Sequence, residues 1–121
     1  MGLSLIRKAD QISVLSDGVY ATRYWTRLRG LIGTRELKLG EGMLFPKCNS
    51  VHMWMMSIPL DIVFLKTVIP SKEWTVVDIR SNVKPWKLLP FGCFQANDVL
   101  ELPAGTTERL ALKPGEILCI A

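Results

Sequence analysis

Glu41-Gly-Met-Leu-Phe45 marks the point where the chain's hydrophobic period changes. Before it, apolar residues recur at helical spacing. From Gly40 onward they come in short runs or alternate, which is the period of strands. Pro46 stops the first run, because proline cannot donate to a strand ladder. Val51–Met56 reads as the next strand, with His52, Trp54 and Met56 on one face and Val51, Met53 and Met55 on the other. Ser57-Ile-Pro59 forces a turn or bulge, and Asp61-Ile-Val-Phe-Leu65 continues as a strand. Trp74–Ile79, Val99–Leu102 and Glu116–Ile120 add three more. Residues 81–96, with Pro85, Pro90 and Gly92, read as a long irregular connection.

Upstream, Ile12-Ser-Val-Leu15 reads as a short strand closed by the turn signal Ser16-Asp17-Gly18. An amphipathic helix is expected over residues 22–32. Ala21, Tyr24, Trp25, Leu28, Leu31 and Ile32 make one apolar arc, opposite Arg23, Thr26, Arg27, Arg29 and Gly30. Thr22 can cap its start, and Gly33 can end it in a left-handed conformation. A short second helix is expected over 107–112, capped by Thr106 or Thr107 and closed by Pro114-Gly115. Several short strands with two peripheral helices give a mainly β fold, a small curled antiparallel barrel or sandwich. Strands do not alternate with long helices, which argues against a doubly wound parallel sheet.

The length of 121 residues fits one domain spanning 1–121, with no internal repeat. Hydrophobic residues are 49% and charged ones 21%, the balance of a chain that folds around a core. The longest uncharged stretch, Cys48–Leu60, is broken by polar residues and falls short of the ~20 apolar residues that span a bilayer. The N-terminus places its apolar piece ahead of its charges, the reverse of a signal peptide, so a cytoplasmic location is expected. Cys48, Cys93 and Cys119 are odd in number and far apart, which argues against a disulfide framework or a closed zinc site. Cys119, within Ile117-Leu-Cys-Ile120, reads as a buried small hydrophobe.

Three blocks together carry a resemblance. Arg29-Gly-Leu-Ile-Gly33 precedes Glu41-Gly-Met-Leu-Phe45; the stretch from His52 to Leu65 follows; Val99-Leu-Glu-Leu-Pro-Ala-Gly105 and Leu112-Lys-Pro-Gly-Glu-Ile117 close the chain. In this order and spacing the chain resembles the family known as domain of unknown function 192 (UPF0127 type), from about residue 20 to the C-terminus. The resemblance implies a small β-rich barrel or sandwich. It brings no established activity, so no residue inherits a catalytic role. Many relatives begin with a secretory or lipoprotein signal, from which this chain departs. Many also carry a Lys-Asn-Thr type segment where Met55-Met-Ser-Ile-Pro59 stands here.

Several residues could carry chemistry. Cys48, His52 and Met56, crowded by Met43, Met53 and Met55, offer the soft donors that select Cu(I). Along a strand, however, His52 and Met56 lie about 13 Å apart, and the spacing fits no standard site. The competing reading is that the methionines fill irregular core space. A Cys48–His52 nucleophile pair oriented by Asp61 lacks an oxyanion-hole loop. Asp61 itself opens an apolar strand, where it can cap backbone amides at the turn or pair with a helix arginine. Glu101, between Leu100 and Leu102, either faces solvent or pairs with a base, and the two carboxylates could line one site. Trp86 beside Pro85 could be a binding anchor or the cover of a barrel mouth, and Trp54 shares the His52 face.

The net charge of +4 is unevenly placed. Residues 1–60 carry eight Lys/Arg against four Asp/Glu, and residues 61–121 carry seven against seven. Arg23, Arg27, Arg29 and Arg35 could therefore meet an anionic partner. No aromatic platform accompanies them, which argues against nucleic acid. With no assembled catalytic set, the expected function is a non-enzymatic ligand- or protein-binding (adaptor) module, without a cofactor. His52, Trp54, Asp61, Trp86 and Glu101 are its candidate ligand residues. A soft-metal (Cu or Zn) protein and an enzyme of unknown chemistry are the alternatives.

Overall fold

The computed structural model describes residues 2–20, 37–51, 58–68, 71–84 and 91–121. Nine strands are present among them: β1 (Leu3–Arg7), β2 (Ser13–Tyr20), β3 (Glu41–Pro46), β4 (Ser50–Val51), β5 (Leu60–Lys66), β6 (Glu73–Val83), β7 (Phe91–Gly92), β8 (Asp98–Pro103) and β9 (Ile117–Ile120). One helical turn, α1 (Thr106–Arg109), separates β8 from β9. Seven strands close into a barrel in the order β1-β2-β3-β8-β5-β6-β9, and β4 pairs with β7 as a separate two-stranded ribbon. The mainly β, barrel-type reading of the sequence holds. Every barrel pairing is antiparallel except β2–β3, which is parallel. A wholly antiparallel sheet is therefore corrected at that one seam.

Alternation places one side-chain set of each strand inside. Leu5, Leu15, Leu44, Val63, Leu100 and Leu118 are all fully buried there, so the barrel is filled by branched aliphatic side chains. Gly42 shows how tightly it is filled: a Cβ at that position would sit 2.5 Å from the Glu101 carbonyl oxygen. Trp74 joins the same core, and its indole Nε1–H donates to Asp98 Oδ2 at 2.8 Å.

Several local expectations are revised. Ser16-Asp17-Gly18 is not a turn but the middle of β2, because β1 supplies a partner: Leu3 pairs with Gly18, Leu5 with Leu15 and Ile6 with Ser13, with register shifts that absorb the glycine. The turn falls earlier, where Gln11 adopts φ 63° and Asp10 Oδ1 accepts from the Ile12 amide. β6 runs on to Val83, into the stretch expected to be irregular, and β7 lies inside it. Leu118 points into the barrel, so Cys119 next to it faces out and is only half-buried. The helix expected over 22–32 lies outside the described residues, as do 52–56 of the expected strand at Val51–Met56.

α1 is shorter than expected and is capped differently. Its N-cap is Gly105, in the left-handed conformation, with no capping hydroxyl of its own. Its C-terminus is closed before Pro114, by Ala111 at φ 50°: Leu112 N–H donates to Thr107 O and Ala111 N–H to Glu108 O, a Schellman arrangement. Alanine is strained in this conformation and glycine is not. Ala111→Gly is expected to stabilise the fold by about 0.5–1 kcal/mol, the gain being reduced by glycine's freedom when unfolded. Chemical denaturation measures it, and a destabilised variant would contradict the assignment.

Candidate functional site on the outer barrel face

Glu101 occupies the middle of β8, paired with Met43 on β3 and Ile62 on β5. Its neighbours Leu100 and Leu102 fill the barrel, so alternation sends Glu101 outward. Outward here does not mean into water. Met43, Phe45, Ile62, Phe64 and Val99 form a second buried apolar cluster on the outside of β3-β8-β5. Two connections reach this face. Residues 47–59 lead from the end of β3 to the start of β5, and residues 84–97 lead from β6 to β8. β4 from the first and β7 from the second pair antiparallel, and the Cys93 amide also donates to the Asn49 carbonyl. Cys48, Ile58 and Cys93 pack against the outer cluster from these connections, and Val83 does so from the end of β6.

Glu101 is thus half-buried rather than open to solvent, and it pairs with no base among the described residues, which corrects both readings of it. Its carboxyl has no hydrogen-bond or ion-pair partner among the described residues. Desolvation by the surrounding apolar side chains raises its pKa from the usual carboxyl value to about 7. The residue is nevertheless only half-buried, so solvent still reaches it.

Asp61 is the opposite case. It is 0% exposed and lies on the inner face, one strand away from Glu101, so the two carboxylates do not line one site. Asp61 Oδ1 accepts from the Asn82 amide, which the register shift in β6 frees from the ladder. Asp61 Oδ2 accepts from both the amide and the hydroxyl of Thr107, each at 2.8 Å. It caps backbone amides, as one reading of the sequence had it. Its partners are β6 and α1 rather than an arginine, and both oxygens are already engaged by internal donors.

Cys48 is half-buried, and its thiol donates to the Ser50 carbonyl at 3.1 Å. Among the described residues no three His, Cys, Asp or Glu side chains come together as a metal site. His52, Trp54, Met56, Trp86, Arg23, Arg27, Arg29 and Arg35 lie outside the described residues. Cys93 was missed as a companion of Cys48 on this face. Nothing in the sequence marks it, because the β4–β7 pairing that brings the two segments together spans some forty residues.

The fold and its outer site define a closed seven-stranded barrel domain that bears a desolvated carboxyl, unpartnered among the described residues, on a covered external face. Residues 7–120 match the DUF192 family, described as an uncharacterized ACR, and the chain belongs to that family. No curated protein matches it significantly. Two solved structures share the fold, each with a TM-score of 0.78. A protein of unknown function from Novosphingobium aromaticivorans is 26% identical, over 95% of this chain and 82% of its own. A Sinorhizobium meliloti protein, provisionally named a transcription regulator, is 29% identical, over 98% of this chain and 91% of its own. Among the described residues no helix is long and apolar enough to cross a membrane.

Proposed function

We propose that this protein is a non-enzymatic binding module whose ligand site is the outer face of β3-β8-β5, with Glu101 as its polar anchor. The observation that carries the reading is a carboxyl held among Met43, Ile62 and Val99 with no internal partner among the described residues. A carboxyl set among apolar side chains, without an internal partner among the described residues, is the kind of convergent polar group that fixes a ligand's orientation. An anchor of this kind selects a small molecule or peptide side chain with an apolar body and a cationic N–H donor, an amine or a guanidine. The three unpaired cysteines support a reducing, cytoplasmic setting.

An NMR titration of the full chain with alkylamines and alkylguanidines tests this. Shifts are expected at Met43, Ile62 and Glu101, with affinity rising as pH increases through about 7, as the carboxyl ionises, and levelling above it. Glu101→Gln should bind weakly at every pH. Binding elsewhere, or binding indifferent to that substitution, would overturn the proposal.

A second reading draws on the same carboxyl. A group that titrates near neutrality also suits general acid–base chemistry. Turnover of a bound fragment that disappears in Glu101→Gln would favour an enzyme.

A further inference from the structure

The strand directions give the barrel two unlike ends. At one end lie the end of β2, the end of β3, the β5–β6 turn, the start of β8 and the end of β9; α1 lies at the other. Of the large hydrophobic side chains that are exposed among the described residues, Val19, Tyr20, Val68, Phe94 and Ile120 all belong to the first end. Only Ile12 and Leu39 belong to the α1 end. Phe94, 87% exposed, and Val68, 70% exposed, stand on two loops. Asn97 pins those loops together. Its side chain accepts from the Thr67 amide and donates to the Thr67 carbonyl, while its own amide donates to Leu65 O. The two apolar tips are therefore held in a fixed relation rather than left to collapse onto the barrel.

Unpaired cations accompany these apolar tips. Lys47, Lys66 and Lys72 are exposed around the Phe94 end, with no carboxylate partner among the described residues. The acids there are already engaged. Glu73 pairs with Lys8 at 2.8 Å, and Asp98 is buried against Trp74 and the Lys47 amide. At the α1 end acids and bases are mixed: Asp10 and Glu116 pair with Arg7, and Glu41 and Glu108 lie among Lys38, Arg109 and Lys113.

We propose that the Phe94 end docks onto an anionic lipid surface, Phe94 and Val68 entering the headgroup layer while Lys47, Lys66 and Lys72 meet lipid phosphates and carboxylates. Protruding apolar tips ringed by unpaired lysines match the two-signal logic of reversible membrane association. A second copy of this chain fits the surface worse, since a two-fold contact through it would set lysines against lysines. This surface is separate from the Glu101 face, and the proposal does not depend on the ligand assigned there.

Co-sedimentation of the full chain with phosphatidylcholine vesicles, with and without phosphatidylserine, tests it. The protein should pellet only with the phosphatidylserine vesicles, and raised salt should release it. Phe94→Ser combined with Val68→Ser should weaken partition about tenfold or more. Lys66→Glu should weaken it about fivefold or more. These side chains are exposed, and an unchanged circular dichroism spectrum shows that each variant folds. Parent protein that stays in the supernatant with both vesicle types overturns the proposal, as does partition indifferent to the substitutions. Self-association lost on Phe94→Ser, without vesicle binding, would reassign the surface to a second copy.

Discussion

Asp61→Ala is expected to lower the free energy of unfolding by about 3–5 kcal/mol, a loss on the scale of breaking a buried charged network. The change removes the acceptor for two backbone amides and a hydroxyl; the Thr107 donors are buried, while the Asn82 amide lies at a partly exposed edge. The two orphaned Thr107 donors then carry their full desolvation cost, while the Asn82 amide can turn to water. The damage is also not local. The Asn82 amide belongs to the register shift that bends β6, and the Thr107 amide begins the turn that carries Leu110 and Leu112 into the core. Asp61→Asn separates the two contributions: its one remaining oxygen can serve either Asn82 or Thr107, but its NH2 must then face the other donor. About half the loss is expected. Urea unfolding of the three proteins checks both figures. An alanine variant within about 1 kcal/mol of the parent would show that water or rearrangement replaces the carboxylate.

Glu101→Gln is expected to stabilise the protein, and to do so only above the acid range. The folded carboxyl titrates near 7, above its ordinary value of 4.5. Between those values the folded state holds a proton that the unfolded state has released, so stability falls as pH rises from about 4.5 to about 7 and then levels. The penalty amounts to about 2–3 kcal/mol, allowing for the solvent that still reaches the side chain. Glutamine carries no such penalty. The variant should match the parent at about pH 4 and exceed it by that amount at about pH 8. Denaturant midpoints measured across this range decide the matter. An offset independent of pH would mean that Glu101 finds a partner in solution. A residue that costs stability in the unliganded protein and anchors a ligand is the usual trade between stability and function.

The strands of the inner fold were legible because short apolar runs and period-2 alternation are local properties. Val99–Leu102 announces an inward face by alternation, Asp61–Leu65 and Glu41–Phe45 read as strands from short apolar runs, and the structure extends each by a residue or so. β1 was not legible, because Leu3–Arg7 gains strand character only from β2 and β9 on either side. Ser16-Asp17-Gly18 misled for the same reason: turn chemistry is a local preference, and a partner strand outweighed it. The site was legible only in part. Glu101 stood out as an acid between two leucines, yet what surrounds it comes from β3, β5 and connections distant in sequence. Whether such an acid meets water or apolar side chains depends on which segment crosses its face, and no spacing along the chain encodes that.

Seven is an odd number, and that has a consequence for β1. Around a closed ring, strand direction can alternate completely only if the count is even, so a ring of seven must contain a like-directed neighbour pair. Here that pair is β2–β3. Removing β1 would leave six strands, but not an alternating six. β9 and β2, both antiparallel to β1, would face one another in the same direction, adding a second like-directed seam. Five residues at the beginning of the barrel therefore do more than cover an edge. They reverse the sense of the chain between two strands that could not otherwise meet as antiparallel neighbours, and trimming them would change the parity of the ring rather than shorten it.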